Sequence, residues 1–135
     1  MPGRICCRPD GRGVHIVWTG TVSVREIAAL KQQIYAADNF TGLRYQLWDF
    51  SAAVKGSTSR LQPADMTSFA MLDRYPSARN PDMVVILVGD PSYFCGLEYL
   101  YQTYSKVWTS SWRCELFTTT ASAEVWLATA MPRSE

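Results

Sequence analysis

The sequence predicts an α/β domain: a mixed, mostly parallel sheet of four or five strands carrying about four helices, in the order β-β-α-β-α-β-α-β-α. Three observations predict it. Strand-like apolar segments alternate with segments of helical period, which implies parallel strands joined by right-handed helical crossovers. One continuous aliphatic run, Met83 to Val88, is the pattern of a strand buried on both faces at the centre of a sheet. Apolar residues make up 47% of a 135-residue chain, enough to build one core at a length typical of a single domain.

Ile5 to Arg8 is a short strand, and Asp10-Gly11-Arg12-Gly13 is a turn signal. Val14 to Thr19 follows, with Val14, Ile16 and Trp18 alternating with His15, Val17 and Thr19. The two strands form an antiparallel hairpin at a sheet edge. Ser23 to Glu26 fits a capping box, and the helix behind it carries Ile27, Leu30, Ile34 and Ala37 on one face. Asp38, Asn39, Thr41 and Gly42 close that helix. Leu43 to Phe50 is the next strand, and Val54 to Gln62 is a polar loop. Pro63 suits a helix's first turn, with Met66, Phe69, Ala70 and Leu72 as the inner residues. Pro76 to Pro81 breaks that helix.

The aliphatic strand then ends at Gly89-Asp90-Pro91. A third helix runs over residues 94–108, with Leu97, Leu100, Tyr101, Tyr104, Val107 and Trp108 at helical spacing. Arg113 to Phe117 is the fifth strand. Thr119 or Thr120 caps a last helix whose inner face is Ala123, Trp126, Leu127 and Ala130.

Composition narrows the function. Thirteen basic against 12 acidic residues leave a net charge of +1, which gives no reason to expect nucleic acid or an acidic membrane as partner. Arg4, Arg8 and Arg12, interrupted by Asp10, read as a solvated arm. The first fifteen residues hold no long apolar block, which argues against a secretory signal. The aliphatic run is far short of the roughly 20 residues of a membrane helix. Cys6 and Cys7 are adjacent, Cys95 and Cys114 are distant, and no CxxC pair exists. That usage reads as reduced thiols in a cytoplasm, with Cys95 and Cys114 as small core residues. Only His15 could join the thiolates, at the wrong spacing for zinc, so no metal or other cofactor is expected.

In this order the elements and several residues resemble the SpoIIAA-like branch of the STAS domains, and within it a group of small stand-alone bacterial proteins. The residues that carry the resemblance are Trp18-Thr19-Gly20-Thr21 at a strand end and Leu47-Trp48-Asp49-Phe50-Ser51 at another. Pro63-Ala64-Asp65-Met66 matches a helix start, and Phe94-Cys95-Gly96-Leu97 an aromatic segment. Leu116-Phe117 with Ala123 and Trp126-Leu127 matches the ending. The resemblance spans nearly the whole chain and rests on the ordered set. It implies a non-enzymatic regulatory or protein-interaction module like the anti-sigma factor antagonists. In the sporulation regulators a serine after the third strand is phosphorylated, and the phosphate abolishes binding to an anti-sigma kinase. The corresponding loop here reads Gly56-Ser57-Thr58-Ser59-Arg60, without the family's aspartate or its glycine after the hydroxyl residues. Related small proteins have been compared with CRAL-TRIO lipid carriers, so the resemblance also implies an alternative, a carrier or sensor of a small apolar ligand.

Several residues are candidates for the site. Ser57, Thr58 and Ser59 form a candidate phospho-acceptor loop ahead of a helix N-terminus, where a phosphate is favoured; the same residues also suit a plain surface loop. Asp49 and Asp90 end predicted strands, where ligand-facing residues of open α/β sheets collect; each also suits a turn cap, Asp49 through Ser51. Aromatic residues crowd positions 93–112, and Tyr93, Phe94 and Tyr99 are candidates for a ligand or partner surface, with Tyr93 and Tyr99 falling off the packing face of their helix. Those tyrosines make a homodimer one expectation; a well-filled core with stray tyrosines is the other. A general base needs a nucleophile or an orienting carboxylate in reach; His15, the single histidine, sits mid-strand opposite the Trp18 face with no motif around it, and reads as a packed or exposed strand histidine rather than a catalytic one. Gly11-Arg12-Gly13 joins two strands and is no nucleotide fingerprint. An enzyme ranks last, and would need Asp49, Asp90 and His15 to converge in a polar cleft.

Overall fold

A computed structural model describes residues 3–7, 11–53, 63–89 and 112–130. Five strands form one mixed sheet in sequential order: β1 (Gly3–Cys7), β2 (Gly13–Trp18), β3 (Tyr45–Asp49), β4 (Val84–Val88) and β5 (Arg113–Phe117). β1 pairs antiparallel with β2, and the remaining neighbours pair parallel. The edge hairpin and the parallel order agree with the sequence pattern. Gly11 takes φ 68° in the turn before β2, a conformation that favours glycine. β4 is buried along its length between β3 and β5, and β3 is the middle strand.

Three α-helices are described: α1 (Val24–Ala36), α2 (Pro63–Arg79) and α3 (Thr120–Ala130), with a 3₁₀ turn at Phe40–Gly42. The helix expected over residues 94–108 lies outside the described residues. α1 starts with the Ser23 half of the expected capping box, the Glu26 amide donating to Ser23 Oγ at 3.4 Å, whereas Glu26 Oε2 is buried without a hydrogen-bond partner. Its apolar stripe, Ile27, Leu30 and Ile34, is buried. Ala37 is not inward but exposed, because the helix has ended there and its backbone is already extended. α3 is capped by Thr119, whose Oγ1 accepts from the Ser122 amide at 3.1 Å. Ala123 and Leu127 are its buried face; Ala130, expected inside, is exposed at the last residue.

α2 corrects the sequence reading most. The helix runs through Pro76 to Arg79. An interior proline removes one helical hydrogen bond and costs about 3 kcal/mol. Here Pro76 and Ser77 are buried, Ser77 Oγ donates to the Arg74 carbonyl at 2.8 Å, and the Asn80 amide donates to the Pro76 carbonyl at 2.9 Å. Asn80 then closes the turn, its Nδ2 donating to the carbonyls of Phe40 and Leu43 at 2.9 and 2.8 Å. Burial and these bonds outweigh the proline's cost. The side chains of Met66 and Ala70, expected inside, lie outside the described ones.

The two faces of the sheet carry separate cores. On one, α1 and α2 pack on Val14, Ile16, Trp18, Trp48, Val85, Leu87 and Cys114. On the other, Ala123 and Leu127 of α3 pack on Tyr45, Leu47, Val84, Ile86 and Val88. Alternation within each strand sets this division: Leu47 and Asp49 share the α3 face, Gln46 and Trp48 the opposite one.

Candidate functional site

Asp49 is the last residue of β3, on the α3 face. Its Oδ1 accepts from the Ser51 amide at 2.9 Å and from Ser51 Oγ at 2.5 Å. This is the turn cap that the sequence suggested, a short carboxylate replacing a backbone acceptor two residues away. Its Oδ2 accepts from Thr120 Oγ1 at 3.2 Å, so Asp49 also ties the end of β3 to the start of α3.

The same Oδ2 lies 3.7 Å from His15 Nε2. No motif around His15 in the sequence signals this approach. The two residues belong to neighbouring parallel strands in which His15 pairs with Leu47 and Val17 with Asp49. The carboxylate therefore sits one step along the same face, a relation that sequence separation hides. At 3.7 Å the contact is longer than a hydrogen bond, and His15 Nε2 is buried without a hydrogen-bond partner. Cys6 stands directly opposite His15 across the β1–β2 pair. It is a half-buried free thiol.

A second polar assembly lies inside the other core. Lys31 is 4% exposed and Asp73 0%. Lys31 Nζ donates to both Asp73 oxygens, at 3.1 and 3.2 Å, and lies 5.4 Å from the Trp48 ring centre and 5.8 Å from that of Phe69. Tyr35 donates its hydroxyl to Asp73 Oδ1. Burial above all, and then the Asp73 charge, hold the Tyr35 phenol well above its usual range. Nearby Cys114 is pushed up to about 12, chiefly by burial. Beneath them Gln46 accepts from Trp48 Nε1 at 2.9 Å. The charged and amide groups satisfy one another, the arrangement that a buried ion pair requires.

Sequence reasoning missed this assembly although a signal was present. Lys31 sits at the inner spacing of Ile27, Leu30 and Ile34, and Asp73 at that of Phe69 and Leu72. One lysine and one aspartate on apolar stripes of different helices are the mark of a buried pair.

The exterior of α2 differs from both. Tyr75 is 79% exposed and Met71 63%, one helical turn apart and therefore neighbours on one face. Arg74 and Arg79 beside them are exposed, and the Arg79 guanidinium lies 5.3 Å from the Phe40 ring centre.

Of the sequence-predicted site residues, Asp49 alone is described. Ser57, Thr58, Ser59, Asp90, Tyr93, Phe94 and Tyr99 lie outside the described residues. Among the described residues no group of three or more His, Cys, Asp or Glu could hold a metal ion, and no helix is long and apolar enough to cross a membrane. Comparison with protein-family models, curated proteins and solved structures found no match.

Proposed function

We propose that this chain is a non-enzymatic interaction module of STAS-like type, acting in the cytoplasm and docking a protein partner through the outer face of α2. The observation that carries the reading is the Met71–Tyr75 pair. Two large side chains hold most of their surface in water on a helix whose inner residues, Phe69 and Asp73, are sealed. Aromatic, methionine and arginine side chains are enriched at protein interfaces, and an aromatic ring buries much area there at little entropic cost. The interior polar groups support the same reading. Lys31, Asp73 and Asn80 are engaged in holding α1, α2 and the turn before β4, and Asp49 in holding a loop and a helix.

Placing the photo-reactive amino acid p-benzoylphenylalanine at position 75 in the native host tests this reading. The expected result is a cross-link to one protein, which disappears when Met71→Asp is added. A second copy of this chain in that adduct would identify the module as a homodimer acting through the same face. Adducts spread over many proteins, or insensitive to Met71→Asp, would refute it.

A further inference from the structure

Resting on the docking reading of the α2 face, we propose that its partner is an acidic helix, one whose apolar stripe is bordered on both sides by carboxylates. Six described positions of α2 are exposed: Ser68, Met71, Arg74, Tyr75, Ala78 and Arg79. At about 100° of turn per residue, these positions fall within one arc of about 140°. Arg74 stands at one border of that arc and Arg79 at the other. Met71, Tyr75 and Ala78, at helical spacing, run down the middle. The face is therefore an apolar stripe with a guanidinium on each side.

The borders set the charge of the occupant. No exposed described residue of α2 is acidic. Asp73 is buried and held by Lys31 and Tyr35, and Asp65 is half-buried and engaged. Among the described residues no carboxylate pairs with Arg74 or Arg79. The Arg79 guanidinium lies over the Phe40 ring, a placement that restrains it before any partner arrives. A helix packed along the stripe, with axes about 8–10 Å apart, brings its own flanking residues beside both arginines, as the flanking positions of a coiled coil do. Carboxylates at those positions form charge-assisted hydrogen bonds with guanidinium, whereas basic residues there are repelled.

The same charges weigh against other occupants. A second copy has no matching surface among its described helices: the acid of α1 is Glu26 and that of α3 is Glu124, both half-buried. Packing α2 on α2 sets arginines against arginines. An anionic membrane is held by clusters of about 4–8 basic residues, and the described part of this face offers Arg74 and Arg79.

The probe is the full chain with p-benzoylphenylalanine at position 75, cross-linked in the native host, with the partner peptide of the adduct mapped by mass spectrometry. The expected result is one adduct whose linked peptide carries Asp or Glu on both sides of the linked residue, within about four positions. Arg74→Glu with Arg79→Glu should lower its yield by roughly tenfold or more, with circular dichroism unchanged. Arg74→Lys with Arg79→Lys should keep most of the yield. Lysines placed at the mapped acids of the partner should restore the adduct of the Glu variant. An adduct that survives the charge reversal, or a linked peptide without acids, overturns the proposal and leaves the docking face standing. So does an adduct to a second copy of this chain. An adduct to lipid, or none in any variant, overturns the docking reading itself and the acidic partner with it.

Discussion

Replacing Lys31 by Met should unfold much of the stability of this domain, although it exchanges a charged residue for an apolar one of similar length. Asp73 is wholly buried and receives Lys31 Nζ at 3.1 Å. At an effective dielectric of about 20, opposite unit charges at that distance attract by about 5 kcal/mol. Losing one member of such a pair typically costs about 3–5 kcal/mol, since the other charge is left buried and uncompensated. Against a total of about 5–15 kcal/mol for a domain, that is a large share, and it corresponds to a fall in Tm of roughly 10–20 °C. Urea unfolding followed by tryptophan fluorescence measures it directly. Asp73→Leu added to Lys31→Met should recover more than half of the loss, because the orphaned charge is gone and an apolar residue enters an apolar site. The Tyr35 hydroxyl, left without Asp73, keeps the recovery incomplete. A cost below about 1 kcal/mol for Lys31→Met would refute the reasoning, because that is the worth of a solvent-exposed pair.

Further measurements test other parts of the structure. The raised phenol of Tyr35 and thiol of Cys114 make stability sensitive to alkali. Both groups stay protonated in the fold while the unfolded chain ionises them, so their contribution is complete below pH 9 and lost as pH rises from 9 for Cys114 and from 10 for Tyr35. Cys114→Ala should remove about 1 kcal/mol of the loss between pH 9 and 10, read from urea midpoints at the two values. Asn80→Ala should cost about 2–3 kcal/mol in the same unfolding assay, since it removes two bonds to buried carbonyls, that of Leu43 and that of Phe40, of which Phe40 keeps only the Leu43 amide as donor. Gly13→Ala should destabilise by about 1–3 kcal/mol, because a Cβ there would stand 2.2 Å from the Tyr45 ring; thermal unfolding checks it, and the loss should shrink when Tyr45 is also made Leu. Tyr75→Ala should change stability by no more than about 0.5 kcal/mol, as a side chain in water contributes little to folding.

The legible parts of this fold are those whose cause is local. The alternation in β2, the aliphatic run of β4, the Ser23 cap and the Asp49–Ser51 turn each depend on residues a few positions apart, and a linear reading finds them. The stripe Ile27, Leu30 and Ile34 and the pair Ala123 and Leu127 follow from helical period in the same way. Of the candidate site, Asp49 was legible as a strand-ending carboxylate with a serine two residues on. Its second bond, to Thr120, and its approach to His15 were not.

Sequence alone therefore determined the class, α/β with an antiparallel edge hairpin feeding a parallel sheet, because period and turn chemistry act within one element. Only tertiary structure decided what the polar residues do. Lys31 meets Asp73 across 42 positions and Thr120 meets Asp49 across 71, partnerships set by strand order and by which face each helix covers. The continuation of α2 through Pro76 was settled the same way. A propensity is a small local energy, and burial together with the bonds of Ser77 and Asn80 overrode it.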